Sequence, residues 1–264
     1  MIETVRSKDG TEIACETVGD GPPLILVQGA LNRRTDAPPF VEALRGEFSV
    51  VAYDRRGRGD SGDTPPFAVA REVEDLAAIV ASVGGAAFLC GFSSGGALAL
   101  EAARRGAGVT RLAVYEAPFI VDDTRPAVPE DYVEHLEALV ADGARGDAVA
   151  YFMGTGVGLP AEMVAGMRSS PMWPGLEALA HTISYDGRAM GDHMSGRPFR
   201  PGEWDDVRAP VLVLDGGDSP PWQRNGARAL ADALPDAEYR TLEGQTHQVA
   251  PEVLAPVLMD FFSR

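Results

Sequence analysis

Between residues 2 and 18 apolar and polar side chains alternate around Asp9-Gly10. A period of two belongs to a half-buried strand, and Asp-Gly supplies the backbone conformations of a tight turn. Residues 2–6 and 11–18 are therefore predicted to form a β-hairpin at a sheet edge. After Gly21-Pro22-Pro23 the alternation ends, and Leu24-Ile25-Leu26-Val27, Phe48-Ser49-Val50-Val51-Ala52-Tyr53 and Ala86-Ala87-Phe88-Leu89-Cys90 follow as short apolar runs. Such runs fit strands buried on both faces of a parallel sheet. Further strands are expected at 110–115, 211–215 and 238–242. Between them lie helical patterns, clearest in 70–83, where Val73, Leu76, Val80 and Val83 share a face. A closing helix carries Val253, Leu254, Val257, Leu258 and Phe261 on one side. The alternation of strand and helix predicts an α/β sheet covered on both faces.

The alternation stops between about residues 118 and 206. Helical segments are expected near 130–141, 144–153, 160–168 and 175–183. The stretch also holds Met153, Met163, Met167, Met172, Met190 and Met194 with Trp173 and Trp204. Such a stripe alone fits ordinary packing against the sheet. Its position after the strand at 110–115 favours a helical lid over a pocket. The expected division is a core of residues 1–117 and 206–264 with a lid at 118–205.

The length of 264 residues suits one such unit. A net charge of −16 argues against a nucleic-acid partner, which needs clustered Lys and Arg. No stretch approaches the roughly 18 apolar residues of a membrane span, and the start MIETVRSKDG lacks the pattern of an export signal, so a cytoplasmic location is expected. Cys15 and Cys90 lie far apart in strand-like segments and are expected to be buried thiols, neither disulfide nor metal ligand.

The chemistry centres on Gly91-Phe92-Ser93-Ser94-Gly95. A GxSxG string between a buried strand and a helix forces a turn so tight that its central residue adopts a strained conformation. Here strand 86–90 precedes it and the helix-compatible run Ala97–Ala103 follows. The turn would lift the Ser93 hydroxyl above the sheet and aim the first helix amides at its reaction centre. With Gln28-Gly29-Ala30 after the third strand and Asp54-Arg55-Arg56-Gly57-Arg58-Gly59-Asp60-Ser61 after the fourth, the chain resembles the α/β-hydrolase superfamily over essentially its whole length. Gln28 stands where that family usually has histidine. The resemblance implies a mostly parallel, twisted, eight-stranded sheet flanked by helices, with Ser93 as nucleophile.

A serine hydroxyl needs an imidazole to take its proton. His135, His181 and His193 fall in the insertion, whereas His247 lies between the last strand and the closing helix, where the family places its catalytic histidine. The third member is less direct. Aligning Gly216 with the family's usual glycine puts Ser219, not an acid, at the common position. Glu116, at the end of strand 110–115, resembles the arrangement of haloalkane dehalogenases and is the first choice. Asp218 is the alternative, reachable by a one-residue loop shift. For the oxyanion the resemblance implies the amides of Ala30 and Ser94. Gln28 either braces its loop or touches substrate, and Trp173 of the lid is a candidate substrate contact.

These residues together imply acyl transfer from a small to medium apolar ester or lactone, with no metal or cofactor. The only expected partner is a small-molecule substrate, and the oligomeric state is left open. An aspartate nucleophile, as in haloalkane dehalogenases and most epoxide hydrolases of this fold, is disfavoured by Ser93. A perhydrolase, a C–C bond hydrolase, a lyase or a non-catalytic binder would keep the same residues, because fold alone does not fix chemistry.

Overall fold

In the computed structural model, which describes residues 2–264, the hairpin at the start of the chain joins β1 (Ile2–Arg6) to β2 (Glu12–Val18), with Thr4 opposite Ala14. The remaining strands are β3 (Pro23–Val27), β4 (Ser49–Tyr53), β5 (Ala87–Phe92), β6 (Val109–Tyr115), β7 (Val211–Gly216) and β8 (Ala237–Leu242). They form one eight-stranded sheet in the order β1-β2-β4-β3-β5-β6-β7-β8. β1 and β2 pair antiparallel, as do β2 and β4, and every later pairing is parallel. This is the α/β-hydrolase architecture expected from the sequence.

The helices are α1 (Pro38–Leu44), α2 (Val69–Ser82), α3 (Ser94–Arg104), α4 (Tyr132–Ala141), α5 (Arg145–Tyr151), α6 (Ala161–Arg168), α7 (Trp173–Ala178), α8 (Ile183–Met190), α9 (Pro221–Ala233) and α10 (Pro251–Phe262). Successive strand residues point to opposite faces, and here both faces are covered. Ile25, Val27, Leu89, Leu112 and Val114 join a core with α2, α3 and α9. Leu24, Leu26, Cys90, Ala113 and Leu212 join a second core with α1 and α10. Burial on both sides explains why these strands show no alternation in sequence.

Helices α4 to α8 lie between β6 and β7 and share a third apolar cluster that includes Tyr132, Leu136, Trp173 and Ile183. The sequence pattern places a helix at 175–183. The chain instead closes α7 at Ala178, passes through a short 3-10 turn, and starts a new helix, α8, at Ile183. α8 packs on α3 and α4. Its buried face includes Ser184, Asp186 and Gly187. That face is too polar to show an apolar period.

Candidate active site

Ser93 stands between β5 and α3 with φ 55° and ψ −130°, a left-handed backbone that an L-residue holds only under constraint. The constraint comes from close packing of backbone on backbone. A Cβ at Gly95 would lie 2.2 Å from the Val27 carbonyl oxygen, and one at Gly91 would lie 2.6 Å from the Gly96 Cα. Both flanking glycines are therefore required by space. The Ser93 amide donates to the Tyr115 carbonyl at 2.9 Å, which ties the turn to the end of β6.

Glu116 follows β6 directly and is fully buried, also with a positive φ, of 47°. A buried carboxylate is costly unless its oxygens are satisfied. The Gly216 amide donates to Oε1 at 2.8 Å and the Gln223 side-chain amide donates to Oε2 at 3.2 Å. His247 Nδ1 lies 2.8 Å from the same Oε2. Gln223 Nε2 is also 2.9 Å from His247 Nδ1. With the ring proton on Nδ1 and directed to Glu116, both nitrogens are donors to one oxygen, and Nε2 is left to accept a proton. The ring reaches the cavity from a mostly exposed turn, with 40% of its side chain accessible. Tyr115 anchors that turn by donating its hydroxyl to the Thr246 carbonyl at 2.5 Å.

Ser93 and His247 line one cavity of about 350 Å³, together with the backbone-bearing residues Ala30 and Ser94. Its walls are chiefly apolar: Pro118, Phe152, Ile183, Met190, Met194 and Trp222 face it. Gly29, beside Ala30, could not carry a side chain, since its Cβ would stand 2.9 Å from the Ser93 Cβ.

Other expectations need correction. Asp218 is exposed at the cavity edge, and its amide donates to the Gln245 carbonyl, while Glu116 is the carboxylate beside His247. Trp173 does not face the cavity. It is buried in the core of the insertion and donates its indole N–H to Glu177 at 2.9 Å. Trp222, on α9, takes the place on the cavity wall that Trp173 was expected to hold. Gln28 is likewise buried and is not among the residues lining the cavity. Of the methionine stripe, Met190 and Met194 reach the cavity, whereas Met163 and Met172 are exposed. Trp204 is buried in the sheet core.

The other histidines have separate partners. His181 Nε2 meets the Gly57 carbonyl at 3.0 Å, His193 Nε2 meets Glu203 at 3.1 Å, and His135 packs against the Tyr151 ring. Gln223 was not anticipated. It lies in a helix start after a Pro-Pro step, and only the fold brings it to a carboxylate 107 positions away.

No helix among the described residues is long and apolar enough to cross a membrane. A chain from Sphaerobacter thermophilus DSM 20745, described as an alpha/beta hydrolase, has a similar structure, with TM-score 0.91 and 56% identity over 98% of this chain and 100% of that one. The enol-lactonase of Burkholderia xenovorans LB400 superposes with TM-score 0.71 at 22% identity, covering 99% of this chain and 100% of that chain, which is a likeness of fold. In sequence, the 2-(acetamidomethylene)succinate hydrolase of Mesorhizobium japonicum is 26% identical over 259 residues, 92% of this chain and 88% of the relative. The model of the alpha/beta hydrolase family matches residues 24–257, most of the chain and every strand from β3 onward, and the protein is a member of that family.

Proposed function

We propose that this hydrolase cleaves neutral, apolar carboxylic esters or lactones of small to medium size through an acyl-enzyme on Ser93. The observation that carries the reading is the contact of buried Glu116 with His247 Nδ1 beside a cavity that also holds the strained Ser93. In this reading His247 Nε2 takes the Ser93 proton as Oγ bonds to the substrate carbonyl carbon. The oxyanion is held by the amides of Ala30 and Ser94, each such donor contributing about 3 kcal/mol to the transition state. The intermediate collapses, the alcohol leaves with the proton from His247, and water repeats the sequence to free the acid.

The wall chemistry supports a neutral substrate. No Lys or Arg lines the cavity, and its ionisable groups besides His247 are Asp186, Asp218 and the Tyr132 phenol. A succinate, as in the name of the Mesorhizobium relative, would find no cation there. Residues 118–205 act as a lid in this reading, contributing Phe152, Ile183, Met190 and Met194 to the walls, while 1–117 and 206–264 form the core that carries the catalytic groups.

The test is reaction with a fluorophosphonate probe, peptide mapping, and a series of p-nitrophenyl esters of increasing acyl length. Ser93 is expected to be the modified residue, and activity is expected to peak at short to medium chains. Folded protein in which Ser93 stays unmodified would overturn the proposal.

A further inference from the structure

Two guanidinium groups lie directly behind the cavity wall and take no part in the proton chemistry. Arg58 is 1% exposed, and so is Arg55. Arg58 donates from Nη1 to the Gly29 carbonyl at 2.6 Å and from Nη2 to Asp186 Oδ2 at 2.6 Å. Arg55 donates to Asp186 Oδ1 at 2.6 Å and to the Gln28 carbonyl at 3.3 Å, and its other edge makes a bidentate pair with Glu72 at 2.8 and 2.7 Å. Asp186 also accepts the Ser94 hydroxyl at 2.8 Å. One carboxylate from α8 thus bonds Ser94 directly and reaches the Gly29–Ala30 peptide through Arg58. Its charge is secure: burial opposes ionisation, but Arg55, Arg58 and the Ser94 bond outweigh it and hold the acid below its ordinary range.

The position of Arg58 has a specific consequence for Ala30. In a trans peptide the carbonyl and the following N–H point in opposite directions, and the Gly29–Ala30 bond is not among the cis bonds of the described chain. Fixing the Gly29 oxygen therefore fixes the Ala30 amide. Glycine at 29 is dictated by the nucleophile, whose Cβ would lie 2.9 Å from any side chain there. Glycine also leaves the peptide plane the freest to rotate. A restraint from outside the loop has to supply what the residue itself cannot. Arg58 holds the oxygen on the side away from the cavity, so the Ala30 N–H faces the cavity that Ala30 lines. A cation on the carbonyl also polarises the amide and strengthens it as a donor.

We propose that Arg58 and Asp186 are positioning residues of the oxyanion site. Arg58 sets the direction of the Ala30 amide, and Asp186, carried by the insertion, holds Arg58 and the Ser94 end of α3 in register. The inference rests on the reading of Ala30 and Ser94 as oxyanion donors. It makes α8 part of the catalytic alignment in addition to a cover over the substrate.

The experiment compares the full-length wild type with Arg58→Lys, Asp186→Asn and Ser94→Ala. Lysine keeps the charge but cannot span Gly29 and Asp186 with a fork. Melting and circular dichroism give the folded fraction, p-nitrophenyl butyrate gives kcat and KM, and an alkylboronic acid serves as a tetrahedral analogue. For Arg58→Lys, kcat per folded molecule is expected to fall about 100-fold with KM changed less than about twofold, and the boronate inhibition constant is expected to rise in parallel. Ser94→Ala, which leaves the ion pairs intact, is expected to lose about tenfold in kcat. A KM change with unaltered kcat, or losses that follow the folded fraction alone, would overturn the inference. The Ala30 amide resonance provides a readout independent of turnover: it is expected to move in Arg58→Lys and Ser94→Ala differently, and an unmoved Ala30 signal in Arg58→Lys would also overturn it. Failure of the hydrolase reading is seen separately, as wild-type protein inert to both fluorophosphonate and ester. If Arg58→Lys does not fold, Ser94→Ala decides the kinetic arm, and a kcat within about twofold of wild type refutes the alignment role.

Discussion

Replacing Glu116 by glutamine changes one oxygen to an amide nitrogen and removes one charge, and the structure specifies how the new side chain must sit. Three donors converge on the present carboxylate: the Gly216 amide on Oε1, and Gln223 Nε2 and His247 Nδ1 on Oε2. Glutamine offers one acceptor. Turning its oxygen toward His247 would set its NH2 against the Gly216 N–H in a fully buried pocket, an unpaired arrangement costing about 1–3 kcal/mol. The oxygen therefore stays with Gly216, and the amide nitrogen faces the ring. There it donates to Nδ1, and the ring proton moves to Nε2, the nitrogen required to accept from Ser93. The expected loss in kcat is about 10³–10⁴, or roughly 4–5.5 kcal/mol of transition-state stabilisation, with KM little changed. The assay is steady-state hydrolysis of p-nitrophenyl butyrate by Glu116→Gln and Asp218→Asn side by side, with thermal melts to confirm folding. Retention of kcat within about tenfold of wild type in Glu116→Gln would refute the tautomer argument, and loss confined to Asp218→Asn would move the acid to the β7–α9 turn.

Gly95→Ala is expected to destabilise the fold by about 3 kcal/mol or more, since the new methyl meets two backbone oxygens, those of Val27 and Gln28, at 2.2 and 2.6 Å; a urea midpoint equal to wild type would contradict the packing. Burial, with Asp54 nearby, pushes the Cys15 thiol up to about 12, and burial raises Cys90 further. Neither thiol is therefore expected to react with a disulfide reagent near pH 8 until the protein is unfolded, when both should. Burial, followed by the charge of Arg145, holds the His181 imidazole below its ordinary value. The unfolded chain then takes the proton first, so the neutral ring contributes stability that is present above about pH 6.5 and is lost on acidification below it. His181→Gln should flatten the fall in urea midpoint between about pH 7 and 5, and an unchanged slope would sink this assignment.

The sheet was legible because its inner strands are buried on both faces and write apolar runs, as in Leu24–Val27 and Val211–Leu214. The tight turn at Ser93 was legible for a similar reason. Its glycines answer a steric demand that no other residue meets, and the demand recurs in the local string. What the sequence could not display were contacts made by polar residues across long separations. Asp186 sits in an eight-residue helix whose buried face is polar, so it gives no periodic signal. Its partners Arg55 and Arg58 lie 131 and 128 positions away. Gln223 is silent for the same reason. Trp173 was mistaken for a cavity residue because composition does not record which way a helix turns. Its indole faces Glu177 and the insertion's own core.

The carboxylate that meets His247 belongs to the end of β6, which is paired on both sides by β5 and β7. Sheet geometry, in place of a mobile loop, thus sets the orientation of the imidazole. The segment after β7 supports that carboxylate without supplying it: the Gly216 amide and the Gln223 side chain on either side of it hold the two oxygens, while Asp218 and Pro220 border the cavity. The exposed side chain of Asp218 can be exchanged to reshape the cavity mouth without removing the charge on which the ring depends, whereas Pro220, whose carbonyl accepts the Gln223 backbone amide at 3.0 Å, belongs to the support of that charge. For directed evolution of selectivity, position 218 is the place where sequence variation and proton transfer are separable.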